Sequence, residues 1–208
     1  MKLFLFDFDG VLVDSLDVYE KTVTDCLIKI NQPLTRGREE FLDLFEGNFY
    51  ESLVQKGVDL EAFMKASVDI LAQVKINDIK PIEGVVSVVK RMQKNNCLIV
   101  ISSNNTSSIR EALALFGYDD YFKEILGSDF MLSKKDKILY AIKKYQASSD
   151  DIYYIGDTTG DIKEGKQAGV KTVGVTWGWH SREKMVLAGP DYLFDNPADL
   201  LTLDEGVI

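Results

Sequence analysis

Two rhythms of apolar residues alternate along this chain. Short runs that are apolar throughout end at Phe8, at Ile101, near Leu126, at Ile155 and at Val175. Runs of that length read as β-strands buried on both faces, as in a parallel sheet. Helical spacing separates the later ones. Val85, Val88, Val89 and Met92 share one face, and Ile109, Ala112, Leu113 and Phe116 share another. Ser108, three residues before Glu111, reads as the capping box of that second helix. Strands alternating with helices predict an α/β fold, a Rossmann-like, doubly wound parallel sheet covered on both sides.

The stretch from Ser15 to about Pro81 breaks the alternation. Leu16, Tyr19, Val23, Leu27 and Ile30 recur at three and four, and Pro33 closes that pattern. Leu60, Phe63, Met64, Val68, Leu71 and Val74 form a second amphipathic series. A helical insertion after the first strand predicts two parts: a catalytic core of residues 1–14 and 82–208, and a small helical cap of residues 15–81. Such a cap sits beside the carboxyl ends of the strands, where open α/β sheets bind ligands.

Composition narrows the choice of partners. The 208 residues are 46% hydrophobic, enough for a proper core. The net charge of −9 argues against nucleic acid or an anionic membrane as partner. No stretch reaches the roughly 20 apolar residues of a membrane span, and the first residues do not read as a signal peptide. The two cysteines, Cys26 and Cys97, lie in apolar periodic segments and read as buried free thiols. The expectation is a soluble, cytoplasmic protein, monomer or homodimer.

The chemistry begins on the first strand. Asp7 and Asp9 alternate with phenylalanines just before Gly10, so both side chains are expected on one face. Two carboxylates on an apolar strand are costly unless a cation or proton settles them. A second acidic pair, Asp157 and Asp161, follows the strand that ends at Ile155 and opens the next helix. Carboxylates at a strand end and an adjacent helix start suit a hard, oxygen-seeking cation such as Mg²⁺. Where the strand ending at Ile101 empties into Ser102, Ser103, Asn104 and Asn105, hydroxyls and backbone N–H groups form a candidate anion cradle. Four carboxylates and a phosphate also require a local cation. Lys134, Lys135 and Lys137 precede the next helix; the distance to Ile138 and Leu139 favours Lys135, with Lys134 next.

These elements, in this order, resemble the haloacid dehalogenase superfamily of aspartate-nucleophile phosphohydrolases. The run from Asp7 to Ser15 looks like its first motif, Ser102 matches the hydroxyl of the second, and Gly156, Asp157 and Asp161 match the fourth. The third motif departs, since lysines and Asp136 stand where the family sets prolines beside its lysine. The stretch from Gly174 to Glu183, followed by Ala188 to Tyr192, is similar to the phosphoglycolate-phosphatase group.

The resemblance implies a Mg²⁺-dependent phosphatase acting on a small phosphorylated metabolite. In it Asp7 is the nucleophile and Asp9 the acid and then the base. Mg²⁺ is held by Asp7, the Asp9 backbone carbonyl, Asp157 and, directly or through water, Asp161. Ser102 and Lys135 stabilise the transferred phosphoryl group, while Gly10, Ser103 and Asn104 complete the substrate site. A phosphosugar mutase or a pyrophosphatase of the same superfamily would use the same carboxylates. A dehalogenase needs no acid at position 9, and a non-catalytic interaction domain needs none of these groups. His180, the single histidine, could touch substrate or lie on a surface loop; Trp177 and Trp179 read as packing residues. Phe49, Tyr50 and Arg38 are candidates for choosing the substrate.

Overall fold

Leu3 and Leu5 point into one hydrophobic cluster and Phe4 and Phe6 into another, as a strand buried on both faces requires. In the computed structural model, which describes residues 1–118 and 120–205, that strand (β1, Leu3–Phe6) lies in the middle of a six-stranded parallel sheet. The other strands are β4 (Cys97–Ile101), β5 (Glu124–Leu126), β6 (Ile152–Gly156), β7 (Lys171–Val175) and β8 (Tyr192–Phe194). Their order is β5-β4-β1-β6-β7-β8, with Leu5 paired to Ile99 on one side and Tyr154 on the other. Strand order reverses beside β1, so the sheet opens a crevice at its carboxyl ends there.

Helices α5 (Val85–Met92), α6 (Thr106–Leu115) and α10 (Leu200–Glu205) pack on the Phe4/Phe6 face. Helix α7 (Lys134–Tyr145) packs on the opposite face, where Ile138 and Ala141 join Leu3, Leu5 and Tyr154. Helices α8 (Thr159–Ala168) and α9 (Arg182–Ala188) follow β6 and β7. The predicted α/β class and the five predicted strands stand. The edge strand β8 was not expected.

Between β1 and α5 lie four helices: α1 (Leu16–Lys29), α2 (Arg38–Asp43), α3 (Phe49–Gln55) and α4 (Leu60–Leu71). They share a separate cluster built on Cys26, Leu27, Phe41, Leu44, Phe49 and Leu53. A two-residue antiparallel ladder, β2 (Val13–Asp14) with β3 (Lys80–Pro81), ties the two ends of this segment together at its base. Val68, placed by its spacing on the inner face of α4, is instead 69% exposed; Phe63 and Ala66 carry the burial. Among the described residues no helix is long and apolar enough to cross a membrane.

The helical segment is docked on the sheet through backbone. The N–H of Gly160, in the first turn of α8, donates to the carbonyl of Phe45 at 2.9 Å. A side chain at Gly160 would overlap the carbonyls of Gly47 and Phe45. Gly160→Ala is therefore expected to lower stability by about 1–3 kcal/mol, the range for overpacking a close contact, read as a shift in urea unfolding midpoint.

Candidate active site

Alternation along β1 carries Asp7 onto the face that Leu3 and Leu5 occupy, toward α7 and α8. There Lys134, the first residue of α7, donates through Nζ to Asp7 Oδ2 and Asp161 Oδ1, both at 2.7 Å. The three side chains are nearly excluded from solvent. Ser133 sets the position by capping α7, its hydroxyl accepting the Asp136 N–H at 3.1 Å.

Lys135, the lysine expected in the site, is displaced by its neighbour. Its backbone N–H binds Glu164 at 3.1 Å, and the ammonium beside the carboxylates is that of Lys134. The helix begins at Lys134, so the lysines expected ahead of it lie within it, and the first residue after the cap faces the strand ends. The spacing of Ser133 and Asp136, a cap and an acidic residue three positions on, was the available signal.

Asp9 arrives differently from Asp7. The strand ends at Phe6, and residues 8–13 turn back, with the Leu12 N–H bonded to the Phe8 carbonyl. The expected strand to Phe8 is thus shorter, and the shared-face argument reaches only Asp7. The Asp9 carboxylate accepts the Ser15 hydroxyl at 2.7 Å and has Ser102 Oγ and Asn104 Nδ2 at 3.5 Å. Burial raises its pKa, against the opposing pull of these donors and Lys134.

Ser102 is fully buried, and its hydroxyl accepts the Asn104 N–H at 2.9 Å. Ser103 lines the same small space as Asp7, Asp9, Ser102 and Lys134. The N–H of Gly10 is taken by the Val13 carbonyl at 2.9 Å. Its φ of +77° admits the turn, and its missing Cβ leaves room for the Asp157 carboxylate. Asn105, not Ser108, caps α6, accepting the Ser107 N–H at 2.9 Å.

Asp7, Asp157 and Asp161 each offer a carboxylate oxygen within 4.8 Å of the others. Asp157 gives one oxygen to the Trp179 N–H at 2.6 Å, while its Oδ1 is buried with no partner. Burial, with Asp161 and Asp7 nearby, holds its pKa well above the carboxylate range. For Asp161 burial would act the same way, but Lys134, Thr158 and Tyr154 outweigh it and bring its pKa down. Tyr154 donates at 2.7 Å, and Thr158 donates through its hydroxyl at 2.6 Å and its N–H at 3.1 Å. With Lys134, these fill the roughly four acceptor positions of a carboxylate. Asp161 therefore anchors Lys134, and Asp157 keeps the open oxygen. An all-oxygen set with an orphaned buried carboxylate oxygen fits a hard divalent cation.

Lys137 adds an unforeseen charge. Its side chain is fully buried, and Nζ donates to the Ser102 carbonyl at 2.6 Å. Burial, with Lys134 beside it, pulls its pKa down to about 7, against the attraction of Asp7, Glu164 and Asp129. His180 is buried, neither at the surface nor free for substrate. Its Nδ1 accepts the Thr159 N–H and its Nε2 donates to the Leu42 carbonyl, both at 3.1 Å, which makes it neutral. Trp179 joins the cluster of the helical segment, 4.9 Å from Phe45 between ring centres, and Trp177 packs against the sheet. Arg38 pairs with Asp17 and Glu20 on the surface, away from the site.

Comparison with known proteins agrees with this geometry. A family model described as haloacid dehalogenase-like hydrolase matches residues 4–175. A phosphoglycolate phosphatase of Synechococcus elongatus is 28% identical, covering 97% of this chain and 96% of its own. A pyrophosphatase PpaX of Anoxybacillus flavithermus is 27% identical, covering 96% and 94%. The crystal structure of a protein described as a predicted phosphatase from Clostridium acetobutylicum superposes with a TM-score of 0.83 at 23% identity, over 99% of this chain and 98% of that one.

Removing Lys134 strands buried carboxylates, so Lys134→Met is expected to cost about 3–5 kcal/mol, whereas Lys135→Met stays within about 0.5 kcal/mol; urea unfolding of the pair distinguishes the two lysines. Lys137 sets a pH dependence of its own. The unfolded chain holds that proton up to the reference 10.5, and the folded chain releases it near 7. Stability from this group is therefore present above 10.5 and lost as pH falls through about 7. Lys137→Met is expected to gain most over the parent protein near about pH 6 and to lose that gain steadily toward about pH 10, measured as the difference in urea midpoints.

Proposed function

The chain belongs to the haloacid dehalogenase-like hydrolases and is a phosphatase, and we propose that it cleaves a small phosphate monoester through an aspartyl-phosphate on Asp7, with Mg²⁺ as cofactor. The observation that carries this reading is the unequal treatment of two carboxylates two residues apart. Asp7 is bound to an ammonium at the strand end, while Asp9 is held by Ser15 and lines a cavity. A nucleophile and a proton carrier need that difference.

In the first step an Asp7 oxygen attacks phosphorus and the ester P–O bond breaks. Asp9 gives its proton to the departing alkoxide. In the second, water attacks the same phosphorus, Asp9 takes a proton from it, and the acyl-phosphate bond breaks to restore Asp7 and release phosphate. Lys134 and the Ser102 hydroxyl stabilise the charge on the phosphoryl oxygens. Tyr154, Thr158 and Asp161 keep Lys134 in place throughout. Asp7 and Asp157 would hold Mg²⁺, with Asp161 anchoring Lys134 beside them, and the ion when bound would neutralise phosphoryl charge as a Lewis acid. A dehalogenase has no use for the Asp9 proton, and a binding module would bear the cost of these buried carboxylates without return.

Asp7→Asn is expected to abolish hydrolysis of every ester while folding at least as stably as the parent, since it relieves carboxylate crowding. Asp9→Asn is expected to lose most of the rate and to accumulate phosphoenzyme, detectable by intact mass. Lys134→Met should lower kcat by about 10²–10³-fold, with Lys135→Met close to the parent. EDTA should silence the enzyme and added Mg²⁺ restore it. Robust turnover by Asp7→Asn would overturn the mechanism.

A further inference from the structure

Two cavities adjoin the phosphoryl site. The larger, of about 120 Å³, lies between α1, residues 71–79 and α6, and reaches Asp9 and Asn104. Val18, Leu71, Val74 and Ile76 give it an apolar lining, and Thr22, Ser108 and Glu111 a polar one. The smaller, of about 50 Å³, runs under α3 and α4 beside Tyr50, Met64 and Asn104. Among the described residues lining either cavity there is no lysine, arginine or histidine.

The cation nearest the reacting carboxylates, and several of the helical segment, are held in ion pairs. Lys134 is shared between Asp7 and Asp161. In the helical segment Arg36 pairs with Glu39 and Asp43, and Arg38 with Asp17 and Glu20, on its outer face. Lys21, Lys29 and Lys56 are bound to Asp25, Asp69 and Glu40.

We infer that the leaving-group cavity selects by charge: it accepts phosphate monoesters of neutral, hydroxylated alcohols and rejects those whose leaving group carries a second anion, such as a carboxylate or another phosphate. The inference rests on the phosphatase reading of the site. An anionic leaving group would sit near Asp9 and Glu111, partly out of water and with no cation lining the cavity. A hydroxylated carbon chain meets the opposite conditions. Its carbons pack on Val18, Leu71 and Val74, and its hydroxyls bond to Thr22, Ser108 and Glu111. Phosphoglycolate and pyrophosphate both fall in the rejected class.

The test is a matched comparison with the whole 208-residue chain and saturating Mg²⁺ near neutral pH. 2-Hydroxyethyl phosphate is set against phosphoglycolate, and glycerol 3-phosphate against 3-phosphoglycerate. Within each pair only a hydroxymethyl group and a carboxylate differ. The hydroxyl member is expected to lead by at least about tenfold in kcat/KM in both pairs. Glu111 is exposed, so Glu111→Lys should fold normally, checked by thermal melting, and shift both ratios about tenfold toward the carboxylate member. Equal or higher kcat/KM for phosphoglycolate, or ratios unmoved by Glu111→Lys, overturns the charge selection while leaving the phosphatase reading standing. No hydrolysis of any of these esters removes the phosphatase reading and the selection with it.

Discussion

Everything at the carboxyl end of the sheet is arranged around one buried ammonium. Lys134 lies 2.7 Å from both Asp7 and Asp161, in a place where an isolated carboxylate would take up a proton rather than stay charged. Its position follows from three separate pieces of chain. Ser133 starts α7 at the right residue, Tyr154 reaches from β6 to Asp161, and Thr158 starts α8 while gripping the same carboxylate. The arrangement is still short of positive charge. Asp157 and Asp9 are buried as well, and one Asp157 oxygen has no partner. That deficit is the physical reason for a cation at this site, whatever chemistry it serves.

The helical segment closes over this charge from one side only. Residues 41–50 hold it down: the Phe45 carbonyl on Gly160, the Leu42 carbonyl on His180, Asn48 on Glu164 at 3.1 Å, and the Tyr50 hydroxyl on the Ser103 carbonyl at 2.8 Å. Trp179 crosses from the sheet side to pack among Tyr19, Phe41 and Phe45. The neutral His180 belongs to this group, since both ring nitrogens are used to join α2 to the start of α8.

Much of this was legible in the chain, and what escaped did so for local reasons. β1, β4, β6 and β7 are buried on both faces, so their apolar runs stand out; β8 and the two-residue ladder at Val13 and Lys80 are too short to show a period. Asp7, Asp157 and Ser102 lie directly after such strands, and strand ends place them without further information, while Asp161 follows in the first turn of the next helix. Asp9 lies beyond the end of its strand, where alternation no longer applies and a turn decides. The lysine was misplaced by one residue because a helix start, not a strand end, positions it. Ser108 looked like a cap because a serine three residues before a glutamate is a true capping pattern, but Asn105 took the N–H groups first. Tyr154 and Lys137 left no signal. One reads as an aromatic strand residue and the other as one more member of a solvated lysine run, and only the packed sheet reveals that both point into the site.

The two sides of the helical segment therefore do different work. Along residues 41–50 the docking bonds reach main-chain carbonyls and the loops that carry Asp157, so disturbing them would disturb the carboxylates. Along residues 71–79 the chain returns to the sheet past Asp9, and side chains of Leu71, Val74, Ile76 and Ile79 wall a cavity. The larger cavity that reaches Asp9 runs along this return and leaves the docking bonds intact. Its lining there is apolar, and its lining from α6 is polar and acidic. The overall charge of −9 is thus not a remote property of the surface but extends to the entrance of the site. The positive charge that a phosphate needs lies beyond this cavity, in Lys134 and the cation that the surrounding carboxylates require.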